Sequence, residues 1–434
     1  MPDPDFEASG CRSGRLVCTL LVKKPASIAV NVSAGPASPS PRAWTPRVTF
    51  RPSLFRSFFL GGFECSTHVR KDGRRLDLIA ATHHDLRAEE DYRQLAEHGI
   101  RAVRDGVRWH LVEAAGPGRY DWTPVLPLLR AAARTGTQVV WDLCHYGWPD
   151  WLDYFSADFP ARFADYAVAF AQLCRAETGE APTLCPLNEI SFLAWAGGET
   201  GHFNPGTQGR GPEVKRQAVA ATLAGIRAMR AAVPGIRAFA VEPLINTVGR
   251  PGVDADIEPV ERRNAGMWEA WDMLLGRQAP ELGGSEDVLD AIGVNFYWNN
   301  QWWLHEGHDA APLSVFDERW VPLRDLLARV HGRYHRPVFV AETSIEDHRR
   351  ALWLRTVADE VMGAVEAGTP VEGICLYPVL SHPGWDDDRY CPNGLLEMEV
   401  RHGRRVVHAP LAQELRRQQA AFAALFAGKA EAAA

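Results

Sequence analysis

From Ser57 onward the chain alternates short apolar runs with longer amphipathic stretches. Eight runs have the texture of buried strands: Phe58–Phe63, Ala102–Arg104, Gln138–Leu143, Thr183–Leu187, Ala238–Val241, Ala291–Asn295, Val338–Ala341 and Gly373–Tyr377. Between them, apolar residues recur at helical spacing over Glu89–His98, Val125–Thr135, Pro160–Glu177 and Glu213–Val233. A strand followed by a helix, repeated, predicts parallel strands covered by helices. Eight such units suit a single α/β domain, a (β/α)8 TIM barrel over residues 53–428. A doubly wound open sheet is the alternative, but no GxGxxG follows the first run. Residues 1–52 break the pattern. They are biased toward Ala, Ser, Pro and Arg, and read as a disordered N-terminal tail.

The connections are uneven. Long segments follow the fourth, fifth and sixth runs: Ile190–Gly211, Glu242–Glu286 and Tyr297–Pro322. In a barrel these are βα loops at the C-terminal face, where active sites are built. They carry Trp195, Trp268, Trp271, Trp298, Trp302, Trp303 and Trp320. Polar residues also gather at the strand ends: Glu64, Arg104 with Asp105, Asp142 with His145, Asn188 with Glu189, Glu242, Asn295 with Tyr297, and Glu342. A packed strand has no need of a charge at its end, so this recurrence marks a site.

Composition narrows the class. Acids and bases are intermixed, with a net charge of −7, which lacks the basic footprint of a nucleic-acid binder. No apolar run is long enough to span a bilayer, so no membrane partner is expected. None of the eight Cys forms CxxC or a zinc-ligand spacing. Cys144, Cys185 and Cys375 lie in or beside strand runs and read as small buried hydrophobes of a reducing compartment. With acidic residues before any apolar stretch at the start, a cytoplasmic location is expected. His83–His84 and His331/His335 are the nearest candidates for a metal set, but their positions predict surface histidines. No metal and no organic cofactor is expected.

Glu189 follows the apolar run LCPLN, and Glu342 follows VFVA. On strands four and seven of a barrel they can face each other across the axis. Two facing carboxyls are what glycosidic cleavage needs: one protonates the leaving oxygen, the other attacks or stabilises the anomeric carbon. The alternative reading makes them strand-end caps or loop ion pairs.

Five segments in order resemble a known family. AVRDGVRW, VVWDLCHYGWPDWL, PLNEISFLAWAGGETGHFNPG, IGVNFYW and PVFVAETS are similar to the motifs of the family 1 glycoside hydrolases, the β-glucosidase group with catalytic glutamates on strands four and seven. The resemblance spans about Ser57 to Met398. It implies that Glu342 is the nucleophile and Glu189 the acid/base. It further implies that Arg104 and Tyr297 hold Glu342, that Asn188 binds the sugar 2-hydroxyl, and that His145 binds a neighbouring hydroxyl. Asn295 belongs to the same strand-six motif.

The chain departs from the family where the far side of the sugar is held. The strand-eight segment reads YPVLSHPGW, so Tyr377 stands for a Trp, Gly384 falls where a Glu belongs, and Trp385 remains. The strand-one Gln has no clear counterpart in GGFECSTHV, where Glu64 or His68 can substitute. The expectation is a retaining β-glycosidase acting on a carbohydrate or glycoside, with a glycone other than plain glucose. The alternatives are a sugar-binding or regulatory barrel without turnover, and a transglycosylase using the same site.

Overall fold

The computed structural model describes residues 50–304 and 312–427. Eight parallel strands close into a barrel: β1 (Phe59–Gly62), β2 (Ala102–Gly106), β3 (Gln138–Asp142), β4 (Thr183–Cys185), β5 (Arg237–Pro243), β6 (Ala291–Asn295), β7 (Val338–Thr343) and β8 (Val371–Leu376). Each strand pairs with the next, and the ring closes where Phe59 lies opposite Ile374 and Gly61 opposite Val103. Every apolar run of the sequence contains or overlaps one of these strands. The ends shift: β2 continues to Gly106, whereas β4 stops at Cys185 and the chain to Glu189 bends into the barrel mouth.

Helices cover the outside, among them His84–Glu97, Leu126–Thr135, Phe159–Thr178, Gly211–Ala232, Leu323–Tyr334, Arg350–Glu366 and Ala409–Ala427. Four of them carry Pro in the first turn, where a missing N–H costs nothing. The connection after β5 holds two short helices, Ile257–Gly266 and Glu269–Leu274. Among the described residues no helix is long and apolar enough to cross a membrane.

The core has two layers. One lies between strands and helices. The other fills the barrel with Val140, Cys185, Phe239, Val241, Ala291, Phe339 and Ala341. Phe55 closes the floor, its ring 5.1 Å from Phe339 and 5.8 Å from Phe239. Glu372 fixes this plug by accepting the Ser53 and Leu54 N–H groups at 2.7 and 2.9 Å. Residue 53, where the barrel domain was expected to begin, makes the first of these contacts. The tail expected over 1–52 lies, up to residue 49, outside the described residues. Higher in the barrel, Tyr377 lies so close to Gly62 that a Cβ there would sit 2.0 Å from its ring.

Candidate active site

Strand alternation decides which charges meet. On β2, Arg104 points into the barrel and Asp105 points out, as period-2 geometry requires. Asp105 accepts from His84 Nε2 at 2.8 Å and from the Tyr92 hydroxyl. Arg104, fully buried, donates instead to Glu342 Oε1 (2.9 Å), Asp142 Oδ2 (2.7 Å), Asn188 Oδ1 (3.1 Å) and the Ala341 carbonyl (3.0 Å). It thus ties together the ends of β2, β3, β4 and β7.

Glu342 is buried on β7, and its second oxygen accepts the Tyr297 hydroxyl at 2.8 Å. Asn295 lies opposite Glu342 across the β6–β7 pair, after a register irregularity. Its Nδ2 reaches the other carboxyl, donating to Glu189 Oε1 at 2.8 Å. Glu189 Oε2 accepts the Tyr146 hydroxyl at 2.8 Å. Asn188 Nδ2 contacts the Tyr146 oxygen at 3.1 Å and His145 Nε2 at 3.2 Å. His145 Nδ1 lies 3.3 Å from Asp142 Oδ2 and 3.2 Å from Cys65 Sγ. Glu64 Oε1 accepts the Ser66 N–H at 3.0 Å and sits 4.0 Å from His145 Nε2.

The two central carboxyls have different surroundings. Burial pushes Glu189 up, the charge of Glu342 adds to this, and its pKa reaches about 8 against the neutral donors Asn295 and Tyr146. Burial also pushes Glu342 up, but Arg104 and His145 oppose it with positive charge. Within the pair, Glu342 therefore gives up its proton first. Burial works against charge on His145, yet Asp142, Glu64 and Glu342 raise its pKa. Asp142 stays below the usual carboxylate range because Arg104 and His145 outweigh its burial.

Both carboxyls open on a cavity of about 860 Å³, which Glu64, His145, Tyr297 and Trp385 also line. Trp385 stands in an aromatic wall with Tyr146, Phe192 and Phe203, at ring distances of 6.0, 6.2 and 6.3 Å. Farther out the lining includes Trp195, Pro212, Ile245, Met267, Trp302 and Leu304. Of the seven loop Trp residues, Trp195 and Trp302 reach the cavity. Trp268 and Trp271 pack near Tyr334, and Trp303 stacks on Arg319.

The site residues expected from sequence thus come together: Arg104, His145, Asn188, Glu189, Asn295, Tyr297 and Glu342 form one network, and Glu64 and Trp385 line its cavity. Glu64 faces the cavity, whereas His68 is buried behind it, 4.8 Å from Trp385, and burial pushes its pKa down to about 3. Tyr146 and Cys65 were not expected. Tyr146 carried a signal, a phenol beside His145 in a strand-end turn; Cys65 carried none. One expectation fails. His84 is no surface residue but is buried between Asp91 and Asp105, because the first turn of its helix faces the barrel. His83 and His335 are exposed, and His331 is half-buried against the Arg336 carbonyl.

Among the described residues, Cys65, Asp142 and His145 bring ligand atoms within 4.8 Å of one another. The Arg104 guanidinium already occupies Asp142 Oδ2, so a fixed cation stands where a metal would need that oxygen.

No family model and no curated protein matches the chain in sequence. Solved structures do match. The family 1 β-glucosidase of Thermotoga maritima superposes with a TM-score of 0.68 at 16% identity, covering 86% of this chain and 99% of that one. The fold is that of the family 1 β-glucosidases. The same enzyme in complex with glucoimidazole gives a TM-score of 0.69 at 16% identity, with coverage of 86% and 99%. The AHE enzyme from Alicyclobacillus herbarius gives 0.66 at 18% identity, again with 86% and 99% covered. At this identity the likeness is one of fold, and the chemistry rests on the side chains.

Proposed function

We propose that this chain is a retaining β-glycosidase that hydrolyses O-glycosidic bonds, with Glu342 as nucleophile and Glu189 as acid/base. One observation carries the reading. Two carboxyls at the ends of β4 and β7 share a cavity, one held by a guanidinium and the other by neutral donors only. That asymmetry favours one ionised and one protonated carboxyl near neutral pH, the state glycoside cleavage requires.

The steps follow from the contacts. The Glu342 carboxylate attacks the anomeric carbon while Glu189 protonates the departing oxygen. Once Glu342 is an ester its charge is gone, and with it part of what keeps Glu189 protonated. The Glu189 pKa then falls, and its carboxylate takes a proton from water, which attacks the glycosyl ester. Arg104 and Tyr297 orient Glu342 and stabilise it as it leaves. Asn188 and His145 would meet the sugar 2-hydroxyl and its neighbour. Glu64 and Trp385 would contact the rest of the ring.

The T. maritima enzyme is a β-glucosidase, and it has been solved with glucoimidazole. For this chain we favour a glycone other than plain glucose, because Gly384 stands where the resemblance calls for a Glu, no strand-eight carboxyl lines the cavity, and Glu64 brings one from the β1 end instead. A second reading, transglycosylation, draws on the apolar outer lining of Trp195, Ile245, Met267 and Trp302, which suits a sugar or aglycone acceptor better than water. The test is chromophore release from aryl β-glycosides (glucoside, galactoside, fucoside, xyloside, glucuronide and N-acetylglucosaminide) by wild type and Glu342→Gln. Turnover by wild type alone is expected. Equal ligand binding by both, with no release by either, would leave a binding-only barrel. Product attached to an added acceptor, in place of free sugar, would mark a transglycosylase.

A further inference from the structure

Glu189 has a left-handed backbone, with φ of 39°, which a non-glycine residue adopts only under constraint. It also occupies the N-cap of the short helix Ile190–Leu193 but makes no side-chain cap, because its carboxyl is turned to Tyr146 and Asn295. The first amides of that helix therefore need another acceptor. β5 supplies it. The Val241 carbonyl accepts the Glu189 N–H at 2.9 Å, and the Glu242 carboxylate accepts the Ser191 N–H at 2.9 Å. Consecutive residues of β5 thus grip alternate amides around the strained residue.

Glu242 itself is buried, and its Oε1 has no hydrogen-bond partner among the described residues. A capping role alone would be met by an Asn or Gln, without burying a charge. The charged and polar groups acting on Glu242 are Ser191 at the helix start and Lys215 from Gly211–Ala232, whose Nζ is tied to Glu269 at 2.6 Å. Across the β4–β5 junction lies Glu189, whose ionisation the Glu242 charge disfavours.

We propose that Glu242 is a positioning residue, which fixes the backbone of Glu189 and sets the pH at which Glu189 gives up its proton. This rests on the acid/base reading of Glu189. Burial pushes the Glu242 pKa up to about 7, and wherever Glu242 is ionised its charge favours the proton on Glu189. The carboxylate extends the acid form of Glu189 to higher pH.

The test is a titration of the Glu189 carboxyl by ¹³C NMR, assigned with Glu189→Gln, in wild type and in Glu242→Gln. Gln keeps an oxygen for the Ser191 N–H and removes the charge. The Glu189 pKa is expected to fall by about one unit in Glu242→Gln, with the melting temperature little changed, and the alkaline limb of kcat/KM is expected to follow. Glu242→Ala should also lower kcat, because the cap is lost. An unchanged Glu189 titration in folded Glu242→Gln would overturn the proposal. If that variant does not fold, Glu242→Ala is titrated in its place: the same fall in the Glu189 pKa is expected, and an unchanged titration would overturn the proposal. The NMR reading does not need turnover, so a protein inactive on every glycoside would refute the glycosidase while leaving the Glu242–Glu189 coupling measured.

Discussion

Two buried charge networks sit on opposite faces of β2. Inside the barrel, Arg104 joins Asp142, Asn188 and Glu342. Outside, His84 lies between Asp91 and Asp105, stacked on Phe63 at 3.6 Å, and Arg405 closes on Asp91 at 3.0 Å. Each contains a buried His, a buried Arg and at least two buried carboxylates. They differ in what remains open. The outer network pins the hairpin formed by Leu396–Arg401 and Arg404–Val407 to the helix His84–Glu97, and its charges are matched by partners on all sides. The inner one ends on a cavity, where Glu189 has no cation and Glu64 Oε2 has no hydrogen-bond partner among the described residues. Buried charge by itself therefore does not mark a functional site. Buried charge left incompletely matched at a cavity does, because a bound ligand can supply the missing partner.

The largest expected effect separates the networks by activity. Glu342→Gln should lower kcat by about three orders of magnitude or more while the protein stays folded. Steady-state rates beside thermal melts would check this, and a retained rate would move the chemistry away from the inner network. Next in size, Arg405→Ala should cost about 3–5 kcal/mol of stability by leaving Asp91 and its partners unbalanced. Denaturant unfolding would measure that loss, and kcat should stay within about twofold.

A smaller effect is the pH response of the two networks, which has the same sign but falls in different windows. Burial opposes charge on His84, but Asp105 and Asp91 raise its pKa to about 9. A raised His contributes stability that is fully present below its unfolded pKa and is lost as pH rises through 9. Unfolding free energies measured from pH 6 to 10 should fall over that window in wild type and less in His84→Gln. Glu189 acts in a lower window: its raised pKa means the native state binds the extra proton, so stability declines as pH rises from the ordinary carboxyl range to about 8. The smallest effect follows. Glu189→Gln should raise the melting temperature slightly at neutral pH, since the site gives up stability for function, and a lower melting temperature would contradict this.

Much of this arrangement was legible in the sequence. Strand positions followed from apolar runs, because a barrel strand is buried on both faces and leaves a continuous signal. The charged strand ends announced the mouth, since polar residues there interrupt that signal. Other features were invisible. The direction of Asp105, one residue from Arg104, depends on strand pleat and on a helix about 20 residues away. His84 looked like a surface residue because its pairing to Asp105 spans two elements and its link to Arg405 crosses most of the chain. Glu242 stood out as a polar strand end, but its tie to Ser191 came only with the bend after β4.

The most direct measurement traps the intermediate. A glycoside that turns over should be mixed with enzyme, acid-quenched within milliseconds, and the digest weighed by mass spectrometry. The account predicts one glycosyl residue on the peptide containing Glu342, absent from Glu342→Gln, with the first sugar released in the anomeric form of the substrate. Turnover with no such adduct and with an inverted first product would contradict it.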